Sequence, residues 1–142
     1  MRDSYNSWMR NSELARAFDR IADLLELDGA DGFRVNTYRR AARTIRGVTE
    51  DIAVVAAENR LTDLPGIGKG TAQRIQQFVT TGHIDILDDL DAKYPPGLSQ
   101  LMQIPGMGPK KVSLVYSQLG VKDVDDLKRV IESGELEMLP GL

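Results

Sequence analysis

The sequence predicts an all-α fold, a compact helical domain in which one turn motif occurs twice and begins a third time at the C-terminus. Three observations predict it. Apolar residues recur at helical spacing through most of the chain, and no segment alternates apolar and polar residues as a half-buried strand does. The segment Leu64-Pro65-Gly66-Ile67-Gly68 returns 40 residues later as Ile104-Pro105-Gly106-Met107-Gly108, and Leu139-Pro140-Gly141-Leu142 opens a third copy at which the chain stops. The flanks repeat too: Thr81-Gly82-His83-Ile84 leads into Ile86-Leu87, and Ser133-Gly134-Glu135-Leu136 leads into Met138-Leu139. A chain that stops halfway through a turn motif reads as a piece of a longer one.

Taken in order, residues 1–10 lack periodicity and read as a disordered lead or a tag remnant, with Trp8 the one residue there suited to docking. Leu14, Phe18, Ile21, Ala22 and Leu25 predict a first helix to about Leu27. Asp28-Gly29-Ala30-Asp31-Gly32 is a loop by composition. A second helix from about Phe33 to Arg46 puts Tyr38, Ala41, Ala42 and Ile45 on one face and ends near Gly47. Thr49-Glu50-Asp51 opens a short third helix through about Ala57. A short helix then enters the first Pro-Gly-Ile-Gly turn, and a helix from about Lys69 to Thr80 leaves it. Short helices around residues 84–90 and 98–102 lead to the second turn, which a helix from about Pro109 to Leu119 follows. Asp123 caps a last helix, with Asp126 three residues on. Pro95-Pro96-Gly97 marks a joint, so residues 11–92 form a first unit and residues 93–142 a second.

Composition removes several function classes. No stretch approaches the ~20 apolar residues of a membrane span, and the N-terminus has no apolar core like a signal peptide's. The reading is therefore cytoplasmic, nucleoid-associated and without a membrane partner. The chain has no cysteine, which excludes disulfides and thiol-ligated metals. Its net charge is −3, unevenly spread: residues 1–80 hold 12 Arg and Lys against 11 Asp and Glu, and residues 81–142 hold 6 against 10. Arg34, Arg39, Arg40, Arg43 and Arg46 fall in one run without a carboxylate. Such a stripe can hold phosphate on an acidic molecule, because exposed charges more than ~10 Å apart are largely screened at 0.1 M salt. Arg39, Arg43 and Arg46 share a helix face and are read as phosphate contacts, with Arg40 rotated aside. A solvated helix face is the alternative.

The repeated turn carries the chemistry. In apolar-Pro-Gly-apolar-Gly, glycine permits positive φ and close approach of a ligand, proline fixes the entry, and Ile67 or Met107 plugs the helix pair. The helix that follows begins at once, so its unpaired N–H groups and the positive end of its dipole face outward. Lys69 in the first copy, and Lys110 and Lys111 in the second, add charge beside Gly66, Gly68 and Gly70 and beside Gly106 and Gly108. This is a helix-hairpin-helix arrangement for nucleic-acid backbone, which positions a protein on DNA without reading bases. A plain interhelical turn is the bland alternative, and two copies with matching flanks weigh against it. His83 reads as a surface residue. Asp85, Asp88, Asp89 and Asp91 read as an acidic surface rather than a metal site.

Four stretches in this order resemble the N-terminal part of DNA polymerase X family proteins, especially the bacterial branch. They are Ile21-Ala22-Asp23-Leu24-Leu25-Glu26, then Phe33-Arg34-Val35-Asn36-Thr37-Tyr38-Arg39-Arg40-Ala41-Ala42-Arg43-Thr44-Ile45, and the two turns extended to Gly70 and Val112. The resemblance runs from about Asn11 to Leu142. It implies that the first unit is the small domain holding the 5′-phosphate at a DNA gap and that the second grips the duplex. A palm with its Mg2+ would lie in the absent remainder of the parent polymerase. Arg34 falls at a basic position of the phosphate pocket and Tyr38 at the pocket tyrosine. Arg74 stands where some members carry the lysine of a 5′-deoxyribose-phosphate lyase; a guanidinium stays protonated and forms no imine. Gly70 replaces a second lysine, with Lys69 beside it. The resemblance also implies Na+ or K+ on the backbone carbonyls of Thr62, Leu64 and Ile67, and of Met102, Ile104 and Met107, with no cofactor required. The resulting expectation is a non-catalytic, monomeric module for gapped or nicked DNA with a 5′-phosphate. A lyase domain and a protein-protein adaptor with degenerate hairpins are the alternatives.

Overall fold

The computed structural model describes the backbone of residues 2–140 and the side chains of residues 9–140. The turn expected at Gly141 and Leu142 and the docking expected of Trp8 lie outside the described residues. Among these residues are eight α-helices and no strand: α1 (Arg2–Leu27), α2 (Gly32–Arg46), α3 (Ile52–Ala57), α4 (Lys69–Thr81), α5 (Asp85–Lys93), α6 (Gly97–Met102), α7 (Pro109–Leu119) and α8 (Val124–Ser133). A single 3-10 turn, Leu61–Asp63, precedes α4 where a short helix was expected.

Helix α1 begins at Arg2, in place of the disordered lead expected over residues 1–10. No proline or glycine interrupts residues 2–27. The helix is tied down partway along. Asn11 is buried, its amide donates to the Glu50 carbonyl at 2.7 Å, and its side-chain oxygen accepts the Ile52 N–H at 2.9 Å. Arg10 pairs with Asp51 beside it. Polar residues without apolar periodicity hid this stretch from a reading based on periodicity.

The core is continuous. Leu14, Phe18, Ile21 and Leu25 of α1 are buried with Ala41, Ala42 and Ile45 of α2. Helix α1 packs most extensively on α2 and also meets α3, α5, α6 and α7. The second unit adds Leu98, Leu101, Val112, Val115, Val121, Leu127 and Val130 to the same core. Its own packing is close at Gly97, where a Cβ would lie 2.4 Å from the Lys122 carbonyl oxygen. No helix of the described residues is long and apolar enough to cross a membrane.

Helix starts differ in how they are capped, and α5 and α6, which open on Ile84 and Pro96, have no side-chain cap from that residue. Asp31, Asp51 and Asp123 each accept a backbone N–H from inside the helix they open, at 2.9, 3.0 and 2.8 Å, which satisfies donors that would otherwise be left over. Helices α4 and α7 start on Gly68 and Gly108, which have no side chain to do this.

Candidate functional site

Both repeated turns fold alike. In the first, the Ile67 N–H donates to the Leu64 carbonyl at 3.2 Å, across Pro65 and Gly66; in the second, Met107 donates to Ile104 at 2.9 Å, across Pro105 and Gly106. Gly66 and Gly106 take φ of +78° and +86°, the left-handed conformation that the third residue of such a turn demands. Ile67 is buried and Met107 half-buried, so each plugs its helix pair as the pattern predicted. The third copy begins in the same way, with Leu139 N–H on the Leu136 carbonyl as Leu64 is on Leu61 and Ile104 on Leu101.

Gly68 and Gly108 differ from their neighbours in the motif. Their φ values are −88° and −67°, in ordinary extended backbone, and a Cβ on either would meet nothing within 4 Å. Neither backbone strain nor internal packing requires glycine there. Beside them, the N–H groups of Gly66, Gly68, Lys69, Gly70 and Thr71 reach no acceptor among the described residues, nor do those of Gly106, Gly108, Lys110 and Lys111. Gly68, Lys69, Gly70, Gly106, Gly108, Lys110 and Lys111 are exposed. Pro109 removes one donor from the second turn that Lys69 supplies in the first.

The arginine run is divided by the fold. Arg39 donates to Asp23 at 3.0 Å and Glu26 at 3.3 Å, and Arg46 pairs with Asp19 at 2.7 Å. Burial holds the Asp23 carboxyl above its usual range even with the Arg39 guanidinium beside it. Thus Arg39, expected among the phosphate contacts, is occupied by carboxylates of α1, which no reading of α2 alone reveals. Arg34, Arg40 and Arg43 are exposed and have no acidic partner within salt-bridge distance among the described residues. Arg40, read as rotated aside, lies against the first turn instead: a Cβ on Gly66 would sit 2.8 Å from its Nε. Thr44, one helical turn on, donates to the Pro65 carbonyl at 2.7 Å.

Tyr38 and Arg74, 36 residues apart in sequence, come together in the fold. The Tyr38 ring is 6% exposed and packs edge-on against Phe18, and its hydroxyl accepts from Arg74 Nε at 2.7 Å. Arg74, Gln73, Gln77 and Asp85 line a hollow of about 240 Å³. Arg34 stands at the start of α2 next to Phe33, which is 87% exposed. Sequence periodicity gave Phe33 no special place; an aromatic that begins a helix off its apolar face was the available signal. Among the described residues no three His, Cys, Asp or Glu side chains are grouped to hold a metal. His83 lies 3.5 Å from Asp88 on the surface.

The carbonyls named for a monovalent cation are of two sorts. Those of Leu64 and Ile104 already accept the turn N–H, whereas those of Thr62, Ile67, Met102 and Met107 accept no N–H among the described residues. Neutral oxygens of this kind suit Na+ or K+.

Residues 9–84 match the family model of the helix-hairpin-helix domain, and residues 98–142 match that of the SAM-like helix-hairpin-helix tandem. The chain belongs to the helix-hairpin-helix domain family. The first match takes in the turn at Gly66 and Gly68, and the second takes in the turn at Gly106 and Gly108. The chain is also similar to the N-terminal part of a DNA polymerase/3′-5′ exonuclease PolX from Bacillus subtilis (strain 168), with 32% identity over 133 residues. That match takes in 94% of this chain and 23% of the relative, so the chain spans about a quarter of the relative's length.

Proposed function

We propose that this chain binds DNA backbone without sequence preference through both hairpins, as the N-terminal part of a family X repair polymerase. The observation that carries the reading is the pair Gly68 and Gly108. Each is a glycine that neither φ nor packing requires, set among N–H groups that reach no acceptor among the described residues. A phosphate oxygen approaching that spot accounts for both facts, and Lys69, Lys110 and Lys111 supply charge beside it.

The preferred substrate is a gap or nick with a 5′-phosphate. Arg34 and Arg74 offer guanidinium forks, and Tyr38 holds Arg74 by its Nε so that the terminal nitrogens remain to take phosphate oxygens. Phe33, exposed next to Arg34 at the start of α2, is suited to stack on an unpaired base. Arg43 adds charge from the same helix, while Arg39 serves the α1–α2 packing. The hairpins hold Na+ or K+ on the free carbonyls of Thr62, Ile67, Met102 and Met107, and the chain acts as a monomer. It has no Schiff-base lyase activity, because Arg74 cannot form the imine; borohydride trapping of an adduct on an abasic substrate would contradict this.

Titration of a one-nucleotide gap with and without the 5′-phosphate tests the substrate. Charge-assisted hydrogen bonds contribute ~1.5–3 kcal/mol each, so loss of the phosphate lowers affinity about tenfold or more. Equal affinities would remove the Arg34, Tyr38 and Arg74 pocket from the account. The adaptor reading has one observation in its favour, the acidic second unit. It predicts no measurable binding to any of these DNAs.

A further inference from the structure

The two hairpins have different surroundings. Nothing lies within 4 Å of where a Cβ on Gly106 would be, whereas the same position on Gly66 is covered by Arg40, with Nε, Cδ and Cγ at 2.8, 2.9 and 3.0 Å. The Arg40 stem therefore runs directly across the first turn. It comes from α2, a different helix from the two that flank the turn, and the Thr44 bond to Pro65 fixes the two elements together one helical turn further on. Arg39 and Arg46, its neighbours in the run, are neutralised by Asp23, Glu26 and Asp19. Arg40 is exposed and has no carboxylate within salt-bridge distance among the described residues. A guanidinium carried over a backbone turn and left without a counter-ion is half of an ion pair.

We infer that Arg40 is a DNA-phosphate contact belonging to the first hairpin, reaching it across the turn at Gly66. This rests on the DNA-binding reading above and deepens it. The first hairpin then binds a phosphate with a planar fork as well as with backbone, and the second binds with backbone and flexible lysines alone. Each hairpin then carries two cationic side chains, Lys69 and Arg40 in the first and Lys110 and Lys111 in the second, and only the first has a planar fork among them. The plain alternative is that the aliphatic stem of Arg40 only shields the turn.

Arg40→Met keeps much of the stem and removes the charge, and Arg40→Lys keeps a charge without the fork. Binding of each to a nicked duplex is measured by fluorescence anisotropy across a salt series, beside Gly68→Ser and the control Arg20→Met, whose arginine on α1 is paired with Asp91 of α5. Each phosphate neutralised on duplex DNA adds about 0.9 to the slope of log affinity against log salt. Arg40→Met is expected to lower affinity about five- to tenfold near 0.1 M salt and to reduce the slope by about 0.9. Arg40→Lys keeps the wild-type slope with intermediate affinity, and Arg20→Met matches wild type. A drop in affinity for Arg40→Met with the slope unchanged would make Arg40 a packing residue and overturn the inference. Wild-type behaviour of Arg40→Met with loss in Gly68→Ser overturns it too, while leaving the hairpins as the DNA site. No binding by the wild-type chain, or no loss in either variant, takes down both.

Discussion

Gly66 and Gly68 stand two residues apart and answer to different constraints. Gly66 needs its left-handed backbone and the space that Arg40 occupies; Gly68 needs neither. The conformational cost of a Cβ at positive φ is ~1–2 kcal/mol. Gly66→Ala is therefore expected to lower stability by at least about that amount in urea unfolding, and Gly106→Ala, in open space, by less. Equal losses would mean that the Arg40 contact does not constrain the turn. The glycine pattern itself was legible in the sequence, because its spacing repeats. Which glycine the fold requires and which it does not was not, since that depends on φ and on what lies opposite. The arginines show the same limit. A run without carboxylates reads as free charge, and the carboxylates that occupy Arg39 and Arg46 stand on the neighbouring helix.

At the scale of elements, α7 matches the sequence expectation at both ends, because Gly108 and Gly120 bracket an amphipathic run. The start of α1 was missed because a polar helix has no periodic signature. Its anchoring residue is Asn11, which joins α1 to the start of α3 through both ends of its amide. Truncation to Asn11→Ala leaves a buried N–H and a carbonyl without partners, each costing ~1–3 kcal/mol. The unfolding free energy is expected to fall by about 2–4 kcal/mol with α2 and the hairpins retained. A change below 0.5 kcal/mol, roughly the scale of a neutral surface substitution, would show that the junction does not hold α1 in place.

Across the whole molecule, the joint between the two units is bridged by side chains that the linear order does not bring together. Asp28, in the loop before α2, accepts from Lys93 and Tyr94 at the end of α5, and the Tyr94 ring packs edge-on against Tyr116 of α7 with centroids 6.3 Å apart. The hydrogen bond from Lys93, and then that from Tyr94, hold the Asp28 carboxyl below its usual range. Burial first, and then the bond to Asp28, push the Tyr94 hydroxyl up to about 12. Since the folded value lies above the ordinary ~10, this tyrosine stabilises the fold fully below pH ~10 and loses its contribution as the pH rises through about 12. Tyr94→Phe is expected to unfold with a shallower loss of stability between those pH values than wild type. Identical profiles would contradict the clamp. Composition marks Pro95-Pro96-Gly97 as a break between helices; these contacts across it, like the pairing of Tyr38 with Arg74, depend on tertiary packing.

The most direct test of the central claim, that the hairpin amides are kept open for DNA, is to close them from within. Serine at an N-cap accepts a backbone N–H from its own helix and stabilises the helix start, and both positions have room for it. The chain carrying Gly68→Ser and Gly108→Ser is predicted to melt at or above the wild-type temperature and to bind nicked DNA at least tenfold more weakly. An equally stable double variant with wild-type affinity would show that these amides do not contact the ligand.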